Sequence, residues 1–491
     1  SAPTRWTSNG WRDIGSFGTN RGGPQNPEND TAPQSLQGEK LRETEEKPWP
    51  KGERDRRLSA IPPTPSEMPM LRSRLSPALL SFAVGLMGCG DASTPEPTFT
   101  VRDSAGVEIV ENSAPLLGPD AWTISEDRVL QIGKLEGEDP YLFTDIGGMF
   151  PNIGSVFRTE EGQIVVCNGL DSTFRFFDEK GRFLWQFGGQ GEGPGEFSGA
   201  MAACQRVGDM IVGHRSFLGR SQVFDLEGNW QFSGPVPRPG GRRGITLGMT
   251  QDSLFLVSTD LASSRDLGRG IHDRSVAIFL IRPDGTPEDS LPALPFSRMV
   301  REDFGSTQAF FPYSPIWPGK RAVYHGFPDS YEIDVRDNRF NIVRKIRRTW
   351  APSPVTAEDK AWWTTTRENT GPGGGPPSSP TARRNYRTIA DQMVFPDHHA
   401  PFDRFLEDRA GYHWVRRPKA RHNPASIGSA GAASPFPMVW DVFDPTGRWV
   451  TNLTLPERFP VHEIGEDYIL GVWTDEFDVE YVRMYSLDRG E

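Results

Sequence analysis

A short pattern of strand-like runs around an Asp-x-x-Gly turn recurs along this chain of 491 residues. In its clearest copy, β-type runs at Ile164–Val166 and Phe174–Phe177 lead to a turn from Asp178 to Gly181 and a third run at Phe183–Phe187. Asp accepts backbone N–H groups within such a turn, and Gly takes the positive φ that closes it. Units of this kind cannot bury their apolar faces alone, so the copies must pack against one another.

The number of copies defines the expected architecture. A second copy runs from Gly208 through Asp225 to Phe232, and weaker copies keep the same order further along the chain. The count gives six units, at residues 150–188, 199–233, 244–291, 308–348, 402–455, and from 460 onward. Four-stranded units repeated at this spacing predict an all-β, six-bladed β-propeller over residues 100–491.

The last blade indicates how the ring closes. Residues Tyr468–Trp473 and Val479–Tyr485 form two strong strands with no outer strand after them. Either Trp122–Gly133 or Val107–Val110 could supply the missing one. Such pairing of N- and C-terminal segments would remove an open sheet edge, which otherwise invites aggregation.

Composition excludes other classes. With 52 Gly and 44 Pro the chain cannot form a helical bundle. The net charge of −11 argues against nucleic-acid binding, which needs clustered Lys and Arg.

The N-terminal region resembles that of a bacterial lipoprotein. In residues 70–89, Arg72 and Arg74 precede an apolar run that is too short to span a membrane and ends at Cys89. The resemblance implies export, removal of this signal peptide, lipidation of Cys89 and a location in the cell envelope, in the periplasm or on the outer surface. The membrane would be contacted only through that lipid anchor.

The segments on either side of the signal peptide are expected to lack a fold. Residues 1–69 are polar, rich in Pro, Gly, Glu and Arg, and cannot bury a core. They are either a disordered extension or residues upstream of a true start at Met68 or Met70. Residues 90–99 are interpreted as the tether between the lipid and the propeller.

A glycine-rich connector carries a further resemblance. The stretch from Phe187 to Phe197, which contains Gly193-Pro194-Gly195, is similar to the connector of NHL-repeat propellers. Residues 101–487 resemble bacterial six-bladed propeller lipoproteins. This resemblance supports the fold and implies almost nothing about function.

The chain is interrupted after the fourth blade by a helical insertion at about 351–400. Thr356 and Asp359 form a capping box that opens one helix, and Thr381–Met393 indicates a second helix after a Gly- and Pro-rich loop. We expect the insertion to form a lid over one mouth of the channel. Its basic residues Arg383, Arg384 and Arg387 are candidates for binding an anionic ligand, and a solvated helix face is the alternative.

Candidate metal ligands lie where the insertion returns to the fifth blade. Asp397, His398, His399 and Asp403 have metal-ligand character in a loop flanked by prolines. A divalent cation such as calcium is one cofactor prediction, and surface histidines at the channel rim are the alternative. The nearby His462-Glu463 pair begins like a zinc-protease helix, but it lacks the second His and precedes a strand, so that motif is rejected.

Two cysteines remain after Cys89. Cys167 and Cys204 lie in neighbouring predicted blades of an exported protein, where a disulfide is chemically permitted. The bond requires Cα atoms within ~7 Å of each other. We expect two buried free thiols instead.

Two functional classes survive. We favour a monomeric, non-catalytic module that binds an envelope protein, peptide or glycan, because no nucleophile elbow or nucleotide-binding loop is present. The alternative is a metal-dependent envelope hydrolase, lactonase or lyase with its site in the central channel. Its catalytic residues would come from several blades.

Overall fold

A computed structural model of the protein describes residues 97–143, 156–169, 171–215, 220–261, 267–302, 305–307, 310, 314–320, 322–369, 379–418, 437–477 and 479–490. The chain divides into two compact units, 1–90 and 91–491, and every described residue belongs to the second. Residues 1–69, the signal peptide, Cys89 and most of the tether lie outside the described residues. Neither described helix is long and apolar enough to cross a membrane.

Six separate sheets form a six-bladed β-propeller, as predicted. Three strands precede the blades: β1 (Phe99–Ser104), β2 (Val107–Asn112) and β3 (Thr123–Ile132). The first blade contains β4 (Val156–Arg158), β5 (Ile164–Asn168), β6 (Thr173–Phe177) and β7 (Phe183–Gly188). The second contains β8 (Met201–Val207), β9 (Met210–Arg215), β10 (Gln222–Asp225) and β11 (Trp230–Ser233).

The remaining blades follow in chain order. The third contains β12 (Ile245–Met249), β13 (Phe255–Asp260), β14 (Gly270–Ile281), β15 (Pro287–Glu302) and β16 (Gly305–Thr307). The fourth contains β17 (Ile316–Pro318), β18 (Val323–His325), β19 (Glu332–Arg336) and β20 (Ile342–Arg348). The fifth contains β21 (Arg404–Glu407), β22 (His413–Arg416), β23 (Met438–Phe443) and β24 (Trp449–Leu455). The sixth contains β25 (Val461–Ile464), β26 (Tyr468–Thr474) and β27 (Glu480–Asp488).

The turn that defines the repeat has the predicted geometry. Asp178 Oδ1 accepts hydrogen bonds from the backbone N–H groups of Lys180 and Arg182, at 3.0 and 2.8 Å. Gly181 has a φ of +76°. The turn therefore depends on a short acceptor side chain followed by a residue that tolerates the left-handed region.

Apolar cores between neighbouring blades hold the ring together. Within the described residues, one buried cluster lies at each of the six junctions, including the junction of the sixth blade with the first. At that closing junction Leu130, Leu470 and Val482 pack against Val166 and Phe177. Since each blade buries its faces only against its neighbours, the closed ring is the smallest stable unit.

An N-terminal belt, which we define as residues 99–132, runs around the outside of three blades. Its strand β2 pairs in parallel with β20, the outer strand of the fourth blade. The backbone N–H groups of Leu116 and Leu117 then donate to the carbonyls of Trp449 and Val450 in the fifth blade, each at 2.9 Å. Finally β3 pairs with β27 and completes the sixth blade.

The belt decides between the two predicted ways of closing the ring. The segment Trp122–Gly133 contains the closing strand, as one alternative predicted. The other alternative is wrong, because Val107–Val110 lies in β2 on the fourth blade. The Asn112 side chain holds β2 in this position. Its Nδ2 donates to Arg347 O and Gly447 O, and its Oδ1 accepts from Trp449 N.

The third blade is longer than its repeat pattern indicated. The pattern ended at Leu291, whereas β15 continues to Glu302 and pairs with β16. Three register shifts between β14 and β15 interrupt the alternation of apolar residues. Because sequence reading relies on that alternation, it lost the strand at the irregularity beside Leu291.

Cys167 and Cys204 form a disulfide, so the expectation of free thiols is wrong. Their Cα atoms lie 6.3 Å apart, within the distance that a disulfide can bridge. Both residues are buried in the core between the first two blades. Their strands β5 and β8 belong to different blades, and the bond joins these blades covalently.

The helical insertion after the fourth blade contains the two predicted helices, α1 (Ala357–Asn369) and α2 (Pro380–Asp391). The capping box is formed: Asp359 N donates to Thr356 Oγ1 at 3.1 Å, and Thr356 N donates to Asp359 Oδ2 at 2.9 Å. The buried Trp363 of α1 packs against Ala390 of α2 and against Phe395. This small separate core allows the insertion to be ordered outside the blades.

Strand order determines which face of the ring carries the insertion. Because the strands in a blade alternate in direction, turns from its first to its second strand lie on one face, here called the inner-turn face. Connections that leave the fourth strand of a blade lie on the other face. The insertion joins β20 to β21 and so lies opposite the inner-turn face.

Candidate functional site

A cavity of about 680 Å³ opens at the inner-turn face, where the first strands of all six blades meet. Every blade contributes to its wall, from Arg158 in the first to Tyr468 in the sixth. It is therefore the mouth of the central channel. Its ionisable lining consists of the cations Arg158, Arg206, Lys320 and Arg409, the acids Glu160, Glu407, Asp408, Glu463, Glu466 and Asp467, and the residues His462 and Tyr468.

Glu463 is an acid of this cavity whose carboxyl group contacts residues of three blades. Its Oε1 accepts hydrogen bonds from Arg158 N, at 3.1 Å, and from the Tyr468 hydroxyl, and Arg409 Nη2 lies 3.2 Å away. Burial raises the pKa of Glu463, although Arg409, Tyr468 and the Arg158 amide each act in the opposite direction. The three contacts all converge on Oε1, so Oε2 is the oxygen available to a ligand.

Arginines from three blades surround Glu463. Arg409 of the fifth blade also donates to the backbone carbonyl of Arg158 in the first blade. Arg206 of the second blade pairs with Glu160 at 3.0 Å and donates to Gly208 O. These guanidinium groups are thus engaged with protein acceptors. They stabilise the mouth across blade boundaries.

Polar contacts continue around the rest of the mouth. Lys320 of the fourth blade donates through Nζ to Arg409 O at 2.8 Å, and its backbone N–H donates to Glu407 Oε2. Gln205 of the second blade exchanges hydrogen bonds with the backbone of Met249 in the third, at 2.7 and 3.0 Å. The geometry of the mouth is therefore fixed by contacts between blades.

Two acids at the rim of the mouth differ from Glu463 because they are exposed. Glu466 and Asp467, in the turn between β25 and β26, are exposed, and within the described residues neither forms an ion pair. The exposed rim of the mouth therefore carries two acids that form no ion pair with a described cation. A positively charged group on a ligand would meet them without displacing any protein cation.

Sequence reasoning missed this site, although a signal for it exists. Arg158, Arg206, Lys320, Arg409 and Glu463 each lie a few residues before the second strand of their own blade. The clearest repeat copies begin at Gly162 and Gly208, after Arg158 and Arg206, so the repeat pattern does not include these equivalent positions. Glu463 was considered only within a zinc motif, and β25 is a strand, in agreement with the rejection of that motif.

The predicted basic candidates lie on the opposite face. Arg383, Arg384 and Arg387 are exposed on α2, and Arg387 Nη1 lies 3.8 Å from Glu368 of α1. Among described residues, Arg383 and Arg384 form no ion pair. The three do not contribute to the cavity, and a ligand for them remains a prediction.

The predicted metal candidates are engaged separately. His399 Nε2 lies 3.4 Å from Asp359 Oδ2 and packs on Phe310, while Asp403 forms a two-point ion pair with Arg416 at 2.7 and 3.0 Å. The backbone carbonyl of Asp397 accepts a hydrogen bond from Val355 N, and His398 forms an isolated antiparallel β-bridge with Pro354. In the described part of the chain no three His, Cys, Asp or Glu residues are grouped to hold a metal ion. A metal at these four residues stays a prediction.

Comparisons with known proteins reach the fold alone. No family model and no curated protein matches this chain. A protein from Bacteroides fragilis described as exported is 12% identical over 77% of this chain and 98% of that one, with a TM-score of 0.40. A member of the duf4221 family from Bacteroides vulgatus is 10% identical over 75% and 98%, with a TM-score of 0.43. A gluconolactonase from Xanthomonas campestris is 12% identical over 74% and 100%, with a TM-score of 0.33. These similarities are distant, and no functional argument rests on them.

Proposed function

We propose that this protein is an exported, lipid-anchored propeller that binds a protein or peptide segment with basic side chains at the mouth of its channel. The observation that carries the proposal is the cavity of about 680 Å³ to which all six blades contribute. Pockets of this size, lined by a few fixed polar groups, are typical ligand sites. Arg206, Lys320 and Arg409 bind protein acceptors, whereas Glu466 and Asp467 at the exposed rim form no ion pair with a described residue.

Two further observations support export and anchoring. A disulfide such as Cys167–Cys204 persists in oxidising compartments and is rare in the cytosol. The segment from Arg72 to Cys89 has the charge and length pattern of a lipoprotein signal peptide. Replacement of Cys89 by Ser is expected to release the protein from the envelope, as measured by fractionation. Unchanged membrane association would contradict lipidation at this residue.

The binding proposal is tested with two charged peptides. In calorimetric titrations, we expect tetralysine to bind the purified protein and tetraglutamate not to bind. The double variant E466Q/D467N should weaken tetralysine binding roughly tenfold, since two exposed charge pairs contribute about 1 kcal/mol or less each. Added salt should weaken it further.

A matched control separates the site from general charge attraction. Glu179 and Glu227 are exposed acids in turns on the same face of the ring, in the first and second blades. The double variant E179Q/E227Q changes the net charge by the same amount and should bind tetralysine like the wild type. Equal weakening in both double variants, or no binding by the wild type, would show that the mouth does not select basic segments.

A second candidate function is an enzyme at the same cavity, and the geometry of Glu463 favours it. A carboxyl group with a raised pKa, held through one oxygen with the other available, is suited to general acid–base catalysis. In a lactonase, hydrolase or lyase it would hold or deliver the proton. A bound divalent cation remains a prediction for this enzymatic function.

The enzyme candidate is tested by hydrolysis of lactones and simple esters, assayed with and without a chelator. Activity that falls at least about 100-fold in E463Q and is retained in E457Q would support Glu463 as the acid or base. Glu457 is an exposed control in the loop before the sixth blade. An active E463Q would remove Glu463 from the mechanism and leave binding as its role.

A further inference from the structure

Arg158 lines the cavity at the mouth and differs from the other arginines there in how its side chain is used. It is the last residue of β4, the innermost strand of the first blade, and is half-buried. Its backbone is fully engaged, because its N–H donates to Glu463 Oε1 and its carbonyl accepts from Arg206 and Arg409. Its guanidinium group donates to no acceptor among the residues that the structure describes. The N–H donors of this side chain are therefore available to a ligand.

The acids around Arg158 pair with other arginines. Glu160 Oε1 lies 3.0 Å from Arg206 Nη1 and 3.7 Å from Arg409 Nη1. Glu463 Oε1 lies 3.2 Å from Arg409 Nη2. Within the described part of the chain neither acid forms an ion pair with Arg158. An anionic group that enters the cavity can thus reach this guanidinium without displacing a protein carboxylate.

The position of the Arg158 side chain is defined by two neighbours. Its guanidinium carbon lies over the ring of Tyr468, 5.2 Å from the ring centroid. Its Nη2 lies close to Gly162 in the turn before β5, where a Cβ would come within 3.3 Å of that nitrogen. A guanidinium group that lies over an aromatic ring can keep the N–H groups at its edge free for hydrogen bonds. The group is therefore held in place before any ligand binds.

The chemistry of the cavity indicates a ligand with charges of both signs. A guanidinium group presents two parallel donors that match the two oxygens of a carboxylate. The rim of the same cavity carries the exposed acids Glu466 and Asp467, which attract basic groups. An extended peptide of four residues spans up to about 14 Å, so different groups of one short ligand can contact different walls of the cavity.

We propose that Arg158 forms a carboxylate subsite in this cavity, so that the preferred ligand carries a carboxylate in addition to basic side chains. The inference rests on the proposed binding of basic segments and specifies which of them bind best. A carboxylate alone does not suffice, because Glu466 and Asp467 repel a ligand that has no basic group. The carboxylate is either the C terminus of a basic chain or an acidic side chain within it.

The test compares three peptides by calorimetric titration at neutral pH and one ionic strength. They are tetralysine with a free C terminus, tetralysine amide, and an amidated peptide of four lysines and one glutamate. Attraction to the acidic rim alone favours tetralysine amide over tetralysine, because the amide has the greater positive charge. We expect the wild type to bind at least one of the two carboxylate peptides about fivefold more tightly than tetralysine amide. A gain for free tetralysine identifies a chain end, and a gain for the glutamate peptide identifies a side chain.

Two variants assign this preference to Arg158. R158Q should lose it and still bind tetralysine amide at least as well as the wild type, which also shows that the variant is folded. R158K retains the charge without the pair of parallel donors and should lose most of the preference. The control R339Q changes an exposed arginine in the turn between β19 and β20 on the same face, and it should bind all three peptides like the wild type.

The outcomes separate this subsite from the binding function on which it rests. If the wild type binds neither carboxylate peptide more tightly than tetralysine amide, or if R158Q keeps the preference, there is no carboxylate subsite at Arg158. Binding of tetralysine amide that E466Q/D467N weakens would still support the proposed function in that case. A wild type that binds none of the three peptides would overturn both proposals.

Discussion

Buried charged residues have two different environments in this protein. Asp441 is fully buried between the fourth and fifth blades, and the Tyr331 hydroxyl, Arg348 and Arg417 all bind its carboxylate. Glu463 has fewer charged partners and a raised pKa. The carboxylate of Asp441 thus accepts from three donors, whereas burial raises the pKa of Glu463, so the carboxyl group in the mouth retains its proton more readily.

The raised pKa of Glu463 predicts a pH-dependent stability. Well below the unfolded-state pKa, the carboxyl group is protonated in both the folded and the unfolded state. As pH rises, the unfolded state releases its proton first, so the wild type loses stability until pH exceeds the folded-state pKa. The neutral variant E463Q lacks this loss. Urea unfolding from pH 4.5 to 8 should therefore show the wild type becoming less stable relative to E463Q.

The exposed Glu457 provides the reference for this experiment. The difference between the wild type and E457Q should change little with pH, since that side chain is exposed. A constant difference between the wild type and E463Q over the whole range would mean that Glu463 titrates alike in both states.

The contacts between residues of the mouth could not be predicted from the sequence. Asp178 and Gly181 were predicted because their roles are local and depend on neighbours in the chain. Arg158 and Glu463 meet across 305 positions, and only the closed ring brings them together. Sequence order gives no distance between such residues. The disulfide was missed for a related reason, since the approach of Cys167 to Cys204 depends on how two blades pack.

Among the elements, the N-terminal belt differs most from a repeat. The strands of each blade join neighbours in the chain, whereas β2 pairs in parallel with β20. Glu108 pairs with Arg344 at 3.0 Å and Glu111 with Arg347 at 2.9 Å, so side chains reinforce that register. The belt covers the outer edge of the fourth blade, and exposed edges are sites of unwanted pairing.

Replacement of Asn112 by Ala is expected to loosen the belt. The side chain makes three hydrogen bonds, to Arg347 O, Gly447 O and Trp449 N, and is only 3% exposed. Leaving buried backbone groups unpaired should lower the free energy of unfolding by about 2–4 kcal/mol. Urea unfolding measures this loss, and limited proteolysis should cleave faster within 97–112.

The matched change Asn338→Ala removes an exposed hydrogen bond to Asp252 and should cost about 0.5 kcal/mol or less. If both variants lose the same small amount, Asn112 does not hold the belt in place.

Element prediction succeeded where pattern and pairing are local. The capping box at Thr356 and Asp359 identified α1 because both partners lie within one turn. The closing strand β3 was one of two candidates, and its apolar alternation could not distinguish them. The closing strand is the one that pairs with β27, and the other candidate pairs with β20. Both of these partners lie far along the chain.

At the scale of the whole molecule, the ring is stabilised by closure. Apolar clusters occupy the six junctions between described blades, and the disulfide joins the first two blades. A break at any one junction exposes the faces of two blades. Stability should therefore depend strongly on links between blades, including those that contribute little buried area.

Removal of the disulfide tests this dependence. Cys167 and Cys204 are separated by 37 positions, and a loop of that length restricts the unfolded chain by about 3–4 kcal/mol. The double variant C167S/C204S should lose a comparable free energy of unfolding in urea. Reductant should lower the stability of the wild type and leave that of the variant unchanged. A wild type whose stability is insensitive to full reduction would contradict a contribution from this bond.

The path of the belt has a consequence for the order in which the protein can be made. Glu108 and Arg344 are 236 positions apart, and Ser125 and Ser486 are 361 apart. The β1–β2 hairpin can pair at once, but β2 and β3 leave the ribosome long before their blade partners β20 and β27 exist, so the early strand β3 is among the last to pair. Blades can form in turn during synthesis, but the ring cannot close until nearly the last residue is available. A chain that must cross a membrane unfolded would complete this step only after its C-terminal strand has arrived on the far side.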